Sequence, residues 1–152
     1  MTELIFTVGF ALIAVVFVCA CSDKLDIQQA YEFDLATLPV QTDIVQGEEA
    51  EIRCQLVRNG RYEDTEYFIR YFQPDGKGEL RMEDGTVLVP NDLYPLPGET
   101  FRLYYRSLCT DQQTIDIYIV DSFNQTVTKS FSFNNVTVEG DEDNGTEPDL
   151  PY

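Results

Sequence analysis

The sequence predicts an all-β fold, one two-sheet sandwich of about seven to eight strands over residues 40–138. Three observations point there. Apolar residues recur with period two over strand-length segments, turn dipeptides punctuate those segments, and no segment after Cys21 follows the helical period. Strand number and spacing are those of an Ig-like β-sandwich. A transthyretin-like sandwich would read the same, and the Trp of antibody domains is absent.

In chain order, residues 1–20 come first. Leu4 to Ala20 form a run of seventeen residues in which Thr7 is the only polar side chain, and the sequence then changes abruptly to Cys21-Ser22-Asp23-Lys24. Such a run suits the apolar region of an export signal and lies at the short limit for crossing about 30 Å of hydrocarbon. Val18-Cys19-Ala20-Cys21 places small residues before a thiol, as in the lipobox of bacterial lipoproteins. On that basis residues 1–20 are a lipoprotein signal peptide and Cys21 is the lipidation site, each buried methylene of the acyl chains contributing about 0.8 kcal/mol to anchoring. Met1-Thr2-Glu3 departs from the pattern by carrying no Lys or Arg, and an uncleaved anchor is the alternative. Ser22 is compatible with delivery to the outer membrane.

Residues 21–39 read as a tether with an edge strand expected near Ile27 to Phe33. The body follows. Ala50, Ile52, Cys54 and Leu56 alternate with polar neighbours, as do Phe101, Leu103 and Tyr105, then Ile115, Ile117 and Ile119, then Val127, Phe131 and Phe133. Each of these strands therefore offers one face to a core and one to water. Asn59-Gly60 suits a type I′ hairpin, Pro74-Asp75-Gly76 a type I turn, and Asp84-Gly85 and Pro97-Gly98 further reversals. Residues 139–152 hold six acids, no base and two prolines, and read as a disordered acidic tail.

Composition narrows the chemistry. With 27 Asp+Glu against 10 Lys+Arg the net charge is −17, which repels nucleic acid and anionic headgroups, so no direct nucleic-acid partner is expected. The chain contains no His, which excludes Ser-His-Asp and Cys-His catalysis and removes the commonest metal ligand. Asp75-Gly76-Lys77-Gly78 is too short for a phosphate loop, and the acids of the tail lack EF-hand spacing. A non-enzyme without cofactor or metal is expected. Cys54 and Cys109 are candidate disulfide partners in an oxidising compartment, with a free buried Cys54 as the alternative because Cys109 sits in the polar turn Ser107 to Gln113. The Asn-x-Ser/Thr matches at Asn124, Asn135 and Asn144 would matter only in a eukaryotic secreted protein.

Several long segments carry a resemblance. They are Leu25 to Tyr31, Glu51 to Leu56, Ile69 to Thr86, Val89 to Leu96, Glu99 to Ser107, Thr110 to Ile119 and Ser130 to Asn135. In these the chain resembles the TraQ-type transfer lipoproteins of Bacteroides-type conjugative transposons, a family known also as a domain of unknown function. The resemblance implies a lipid-anchored Ig-like sandwich in the transfer apparatus, with other conjugation proteins as partners and no catalytic residues.

A partner face is expected where two strands adjoin. If 66–73 and 114–120 are neighbours in one sheet, Phe68, Arg70, Phe72, Tyr118 and Val120 share the outward side, a composition that interface centres favour. A one-residue slip would instead turn Tyr67, Ile69 and Tyr71 outward. Two functions fit: an adaptor holding part of a mating channel at the membrane, or a surface-displayed recognition or adhesion module. Neither fixes the oligomeric state.

Overall fold

The structure, a computed structural model, describes residues 30–61 and 63–137. The expected signal segment, Cys21, residues 27–29 of the strand expected at Ile27 to Phe33, and the acidic tail lie outside the described residues. The strands are β1 (Phe33–Thr37), β2 (Asp43–Ile44), β3 (Glu49–Arg58), β4 (Tyr67–Asp75), β5 (Gly78–Met82), β6 (Tyr94–Pro95), β7 (Thr100–Ser107), β8 (Gln113–Asp121) and β9 (Thr126–Asn135). They form a four-stranded sheet, order β1-β3-β7-β5, and a five-stranded sheet, order β2-β9-β8-β4-β6. Among the described residues the nine strands exceed the expected seven to eight because β2 and β6 are two residues long, too short to leave a periodic trace. β1 falls in the interval read as tether, later than the strand expected there, and forms one edge of its sheet.

Alternation explains the packing. Ala50, Ile52, Cys54 and Leu56 of β3 point inward with Phe101, Leu103 and Tyr105 of β7, and meet Ile115, Ile117 and Ile119 of β8 together with Ile69 and Tyr71 of β4. Burying each Ile or Leu side chain contributes about 1.5–3 kcal/mol, so these rows fix the register: a one-residue slip would expose a whole row. Tyr105 stacks on Phe133 with ring centroids 4.7 Å apart, linking the two sheets. Phe33 meets Tyr67 edge to face at 5.1 Å.

One end of the core is polar. The Tyr105 hydroxyl donates to Gln113 Oε1 at 2.7 Å and accepts from Gln73 Nε2 at 2.7 Å; Gln113 Nε2 donates to Ser107 Oγ at 2.8 Å, which donates to the Cys109 carbonyl at 3.0 Å. Ser107 and Gln113 are fully buried, so each polar atom in this chain needs the partner it has. Gly78 is required beside it, because a Cβ there would lie 2.2 Å from the Tyr105 oxygen.

Turns depart from expectation in three places: Pro74 and Asp75 belong to the end of β4, with the bend confined to Gly76 at φ 75°, Pro97-Gly98 forms no turn, and the third is Asn59-Gly60. Asn59-Gly60 forms no hairpin: β3 and β4 belong to different sheets, and a longer connection crosses between them. Gly60 is needed there for space, its Cβ position lying 2.3 Å from the Tyr31 ring. The tight hairpin is β8–β9, where buried Asp121 accepts from the backbone N–H groups of Phe123 and Gln125 at 3.0 and 2.7 Å and Asn124 takes φ 64°.

The candidate disulfide is absent, and Cys54 and Cys109 are both free thiols. Cys54 pairs with Phe101 at the start of β7, whereas Cys109 lies beyond Ser107 at its end, about 20 Å or more away at about 3.3 Å per residue. Burial pushes the Cys54 thiol up to about 12, with Lys129 opposing weakly, while Cys109 accepts the Lys77 N–H at 3.1 Å.

Candidate interaction face

The two sheets present unlike surfaces. Outside the four-stranded sheet, Arg81 pairs with Glu49 at 2.7 Å, Arg53 with Glu51 at 2.9 Å and Arg102 with Glu51 at 3.4 Å, and Arg81 also lies over Tyr104 at 4.5 Å. Such a lattice of exposed ion pairs is a solvated surface, each pair contributing little to stability. Outside the five-stranded sheet, charge is sparse and rings and hydroxyls dominate.

Sequence alternation builds that second surface. In β4, Ile69 and Tyr71 are buried, which turns Phe68, Arg70 and Phe72 outward, and the antiparallel register sets Phe68 opposite Val120, Arg70 opposite Tyr118 and Phe72 opposite Asp116. The five residues singled out from sequence thus lie on one side of two adjacent strands. Composition alone could not choose this side, because both sets in β4 carry large aromatic side chains; the isoleucine row of β8 decides, pairing Ile69 with Ile119 and Tyr71 with Ile117. Burial, with Glu79 nearby, pushes the Tyr71 phenol above its ordinary value despite the opposing backbone N–H of Leu80.

At the centre, the Arg70 guanidinium lies over the Tyr118 ring, 4.7 Å from its centroid. Phe72 keeps 40% of its surface in solvent. Asp116 accepts the Ser130 hydroxyl at 2.5 Å, and Thr128 sits opposite Tyr118 on β9. On the other flank Pro95 of β6 pairs with Phe68, and Leu93, one residue before the Tyr94 that pairs with Ile69, is 56% exposed. Leu93 and Pro95 were missed from sequence, since a two-residue strand after a long loop gives no periodicity; the apolar run Leu93 to Leu96 was the available signal. A cleft of about 350 Å³ between Arg58, Phe68, Pro95 and Glu99 borders the face. Among the described residues no group of three or more Cys, Asp or Glu could hold a metal ion.

Fold and face together define an Ig-like β-sandwich module whose distinctive chemistry is spread over a sheet surface. The chain belongs to the TraQ conjugal transfer protein family, whose model matches residues 4–136. Among solved structures it is similar to the lipoprotein from Bacteroides thetaiotaomicron, at 59% identity over 84% of this chain and 98% of that one, with TM-score 0.64. It is also similar to a conjugate transposon protein from Bacteroides vulgatus, at 45% identity over 78% of this chain and 95% of that one, TM-score 0.62. A conjugative transposon lipoprotein from Bacteroides eggerthii is 39% identical over 70% of this chain and 100% of its own, TM-score 0.66. No functionally curated protein matches the chain.

Proposed function

We propose that the protein is a non-catalytic, lipid-anchored adaptor of a conjugative DNA-transfer apparatus, tethered through Cys21 in the cell envelope, at the outer membrane, and acting through protein contacts made by the Phe68–Arg70–Phe72 face. The observation that carries the reading is the placement of Phe68, Arg70, Phe72, Tyr118 and Val120 on one charge-poor sheet surface while the opposite sheet is covered with ion pairs. Family membership supports the transfer role, and the relatives described as lipoproteins support the anchor expected from Val18-Cys19-Ala20-Cys21. The net charge of −17 favours protein over nucleic acid as the contact.

The test replaces Phe68, Arg70 and Tyr118 together with Ser. All three side chains point away from the core, so the variant is expected to fold and anchor normally while conjugative transfer is lost. Normal transfer frequency in that variant refutes the adaptor reading. Metabolic labelling with a fatty acid checks the tether separately: Cys21→Ala must lose the label.

A further inference from the structure

We infer that Arg70 is a socket for a carboxylate, supplied by an acidic side chain set among apolar residues on the partner of the sheet face. The inference rests on the adaptor reading and adds the chemistry of what docks. Five of the seven arginines hold a glutamate within 4.0 Å: Arg53, Arg58, Arg61, Arg81 and Arg102. A sixth, Arg106, stands in register between Glu49 and Glu79. Arg70 has, among the described residues, neither an ion pair nor an acid opposite it in register, where Tyr118 stands. Among the described residues no Asp or Glu approaches its nitrogens within 4.0 Å, in a chain with 27 acids. Its Nε is buried with no hydrogen-bond partner. Asp116 shares the face but is engaged by Ser130.

Physical chemistry makes this arrangement selective. The Tyr118 ring, 4.7 Å from the guanidinium, holds the fork in one plane without supplying an acceptor. Phe68, Phe72, Val120 and Leu93 surround it with apolar surface, so an approaching partner excludes water and strengthens the pull of the cation on an anion. With Nε buried, a carboxylate fits the planar fork end-on through two parallel hydrogen bonds from its terminal nitrogens, and a neutral amide fits it poorly.

The carboxylate comes from another protein and not from this chain's own tail. Arg70 is in line with Tyr118 and Thr128, while β9 runs on to Asn135 and Val136 still bonds to Ile44. Thr137 is therefore roughly 30 Å from Arg70, at about 3.3 Å per residue along β9 and about 4.8 Å per strand across. At about 3.4 Å per residue of extended chain, Asp141, Glu142 and Asp143 fall short of that distance, and Glu147 and Asp149 reach it only with nearly every intervening residue held extended, an ordering cost of about 1 kcal/mol or more per residue.

The test uses the full chain and two probes of one shape, phenylacetate and phenylacetamide, followed by NMR at the Arg70 Nε–Hε and Tyr118 ring resonances. Phenylacetate is expected to shift both signals, and the amide to bind about tenfold more weakly. Arg70→Lys keeps part of the response and Arg70→Gln abolishes it. Equal binding of acid and amide, or a response that survives Arg70→Gln, overturns the proposal. A chain ending at residue 138 that binds phenylacetate more tightly than the full chain overturns the assignment to another protein, since the tail then competes for the socket. Transfer separates the two readings: loss of transfer in the triple Ser variant with normal transfer in Arg70→Gln sinks the carboxylate alone and leaves the adaptor standing.

Discussion

Tyr105→Phe isolates one hydroxyl in the buried chain that links the sheets. The ring stays, and with it the stacking on Phe133 at 4.7 Å; what goes is a donor to Gln113 and an acceptor for Gln73. Gln113 is fully buried, so its Oε1 is left with no partner and no water, at a cost of about 1–3 kcal/mol. Gln73 loses less, because its Nε2 already reaches the Asp75 carbonyl at 3.2 Å and its side chain is half-exposed. The expected destabilisation is therefore about 2 kcal/mol, which for a domain of this size lowers Tm by roughly 10 °C. Urea unfolding followed by circular dichroism measures it, with the slope unchanged, and Gln73→Ala as control should cost less than about 1 kcal/mol. A change below about 0.5 kcal/mol in Tyr105→Phe would show that the network carries no weight in the fold.

Two further outcomes follow from the same end of the core. Gly78→Ala inserts a methyl 2.2–2.4 Å from the Tyr105 oxygen and ring carbons and should destabilise by about 1–3 kcal/mol, whereas in a Tyr105→Leu background, which removes the ring, the same change should cost less; an equal cost in both backgrounds counts against the clash. Burial pushes the Cys54 thiol from 9.0 and the Tyr105 phenol from 10.0 up to about 12 each. Both folded values are raised, so the stability they contribute is complete below the unfolded value and is lost as pH climbs from about 9 toward about 12. The urea midpoint should fall steadily across that window, less steeply in Tyr105→Phe, and a flat midpoint refutes it.

Much of the body could be read in advance because the alternating rows of β3, β7 and β8 are long and unmixed: Ile115, Ile117 and Ile119 admit only one burial pattern. The side of β4 was harder, since Tyr67, Phe68, Ile69, Tyr71 and Phe72 are all suited to a core, and only the partner strand resolves it. What resisted reading was non-local. β2 and β6 exist because longer strands leave room at the sheet edges, Gly60 is fixed by a ring nearly thirty positions away, and Cys109 is separated from Cys54 by the length of a strand that spacing along the chain does not reveal. Among the residues of the face, Leu93 and Pro95 owe their position to the β4 edge and to nothing in their own neighbourhood of sequence.

The two ends of the described chain sit at opposite poles of the sandwich. Tyr31 is held near the β8–β9 hairpin, where the Gln125 amide donates to its carbonyl at 3.1 Å, while Val136 leaves beside Ile44 after the full length of β9. If the residues before Tyr31 carry the proposed anchor, the β8–β9 hairpin is the pole nearer the attachment, and the aromatic sheet surface runs between the two poles. Arg70 then faces the flank of the sandwich and neither pole, the side on which a neighbour anchored in the same membrane would meet it.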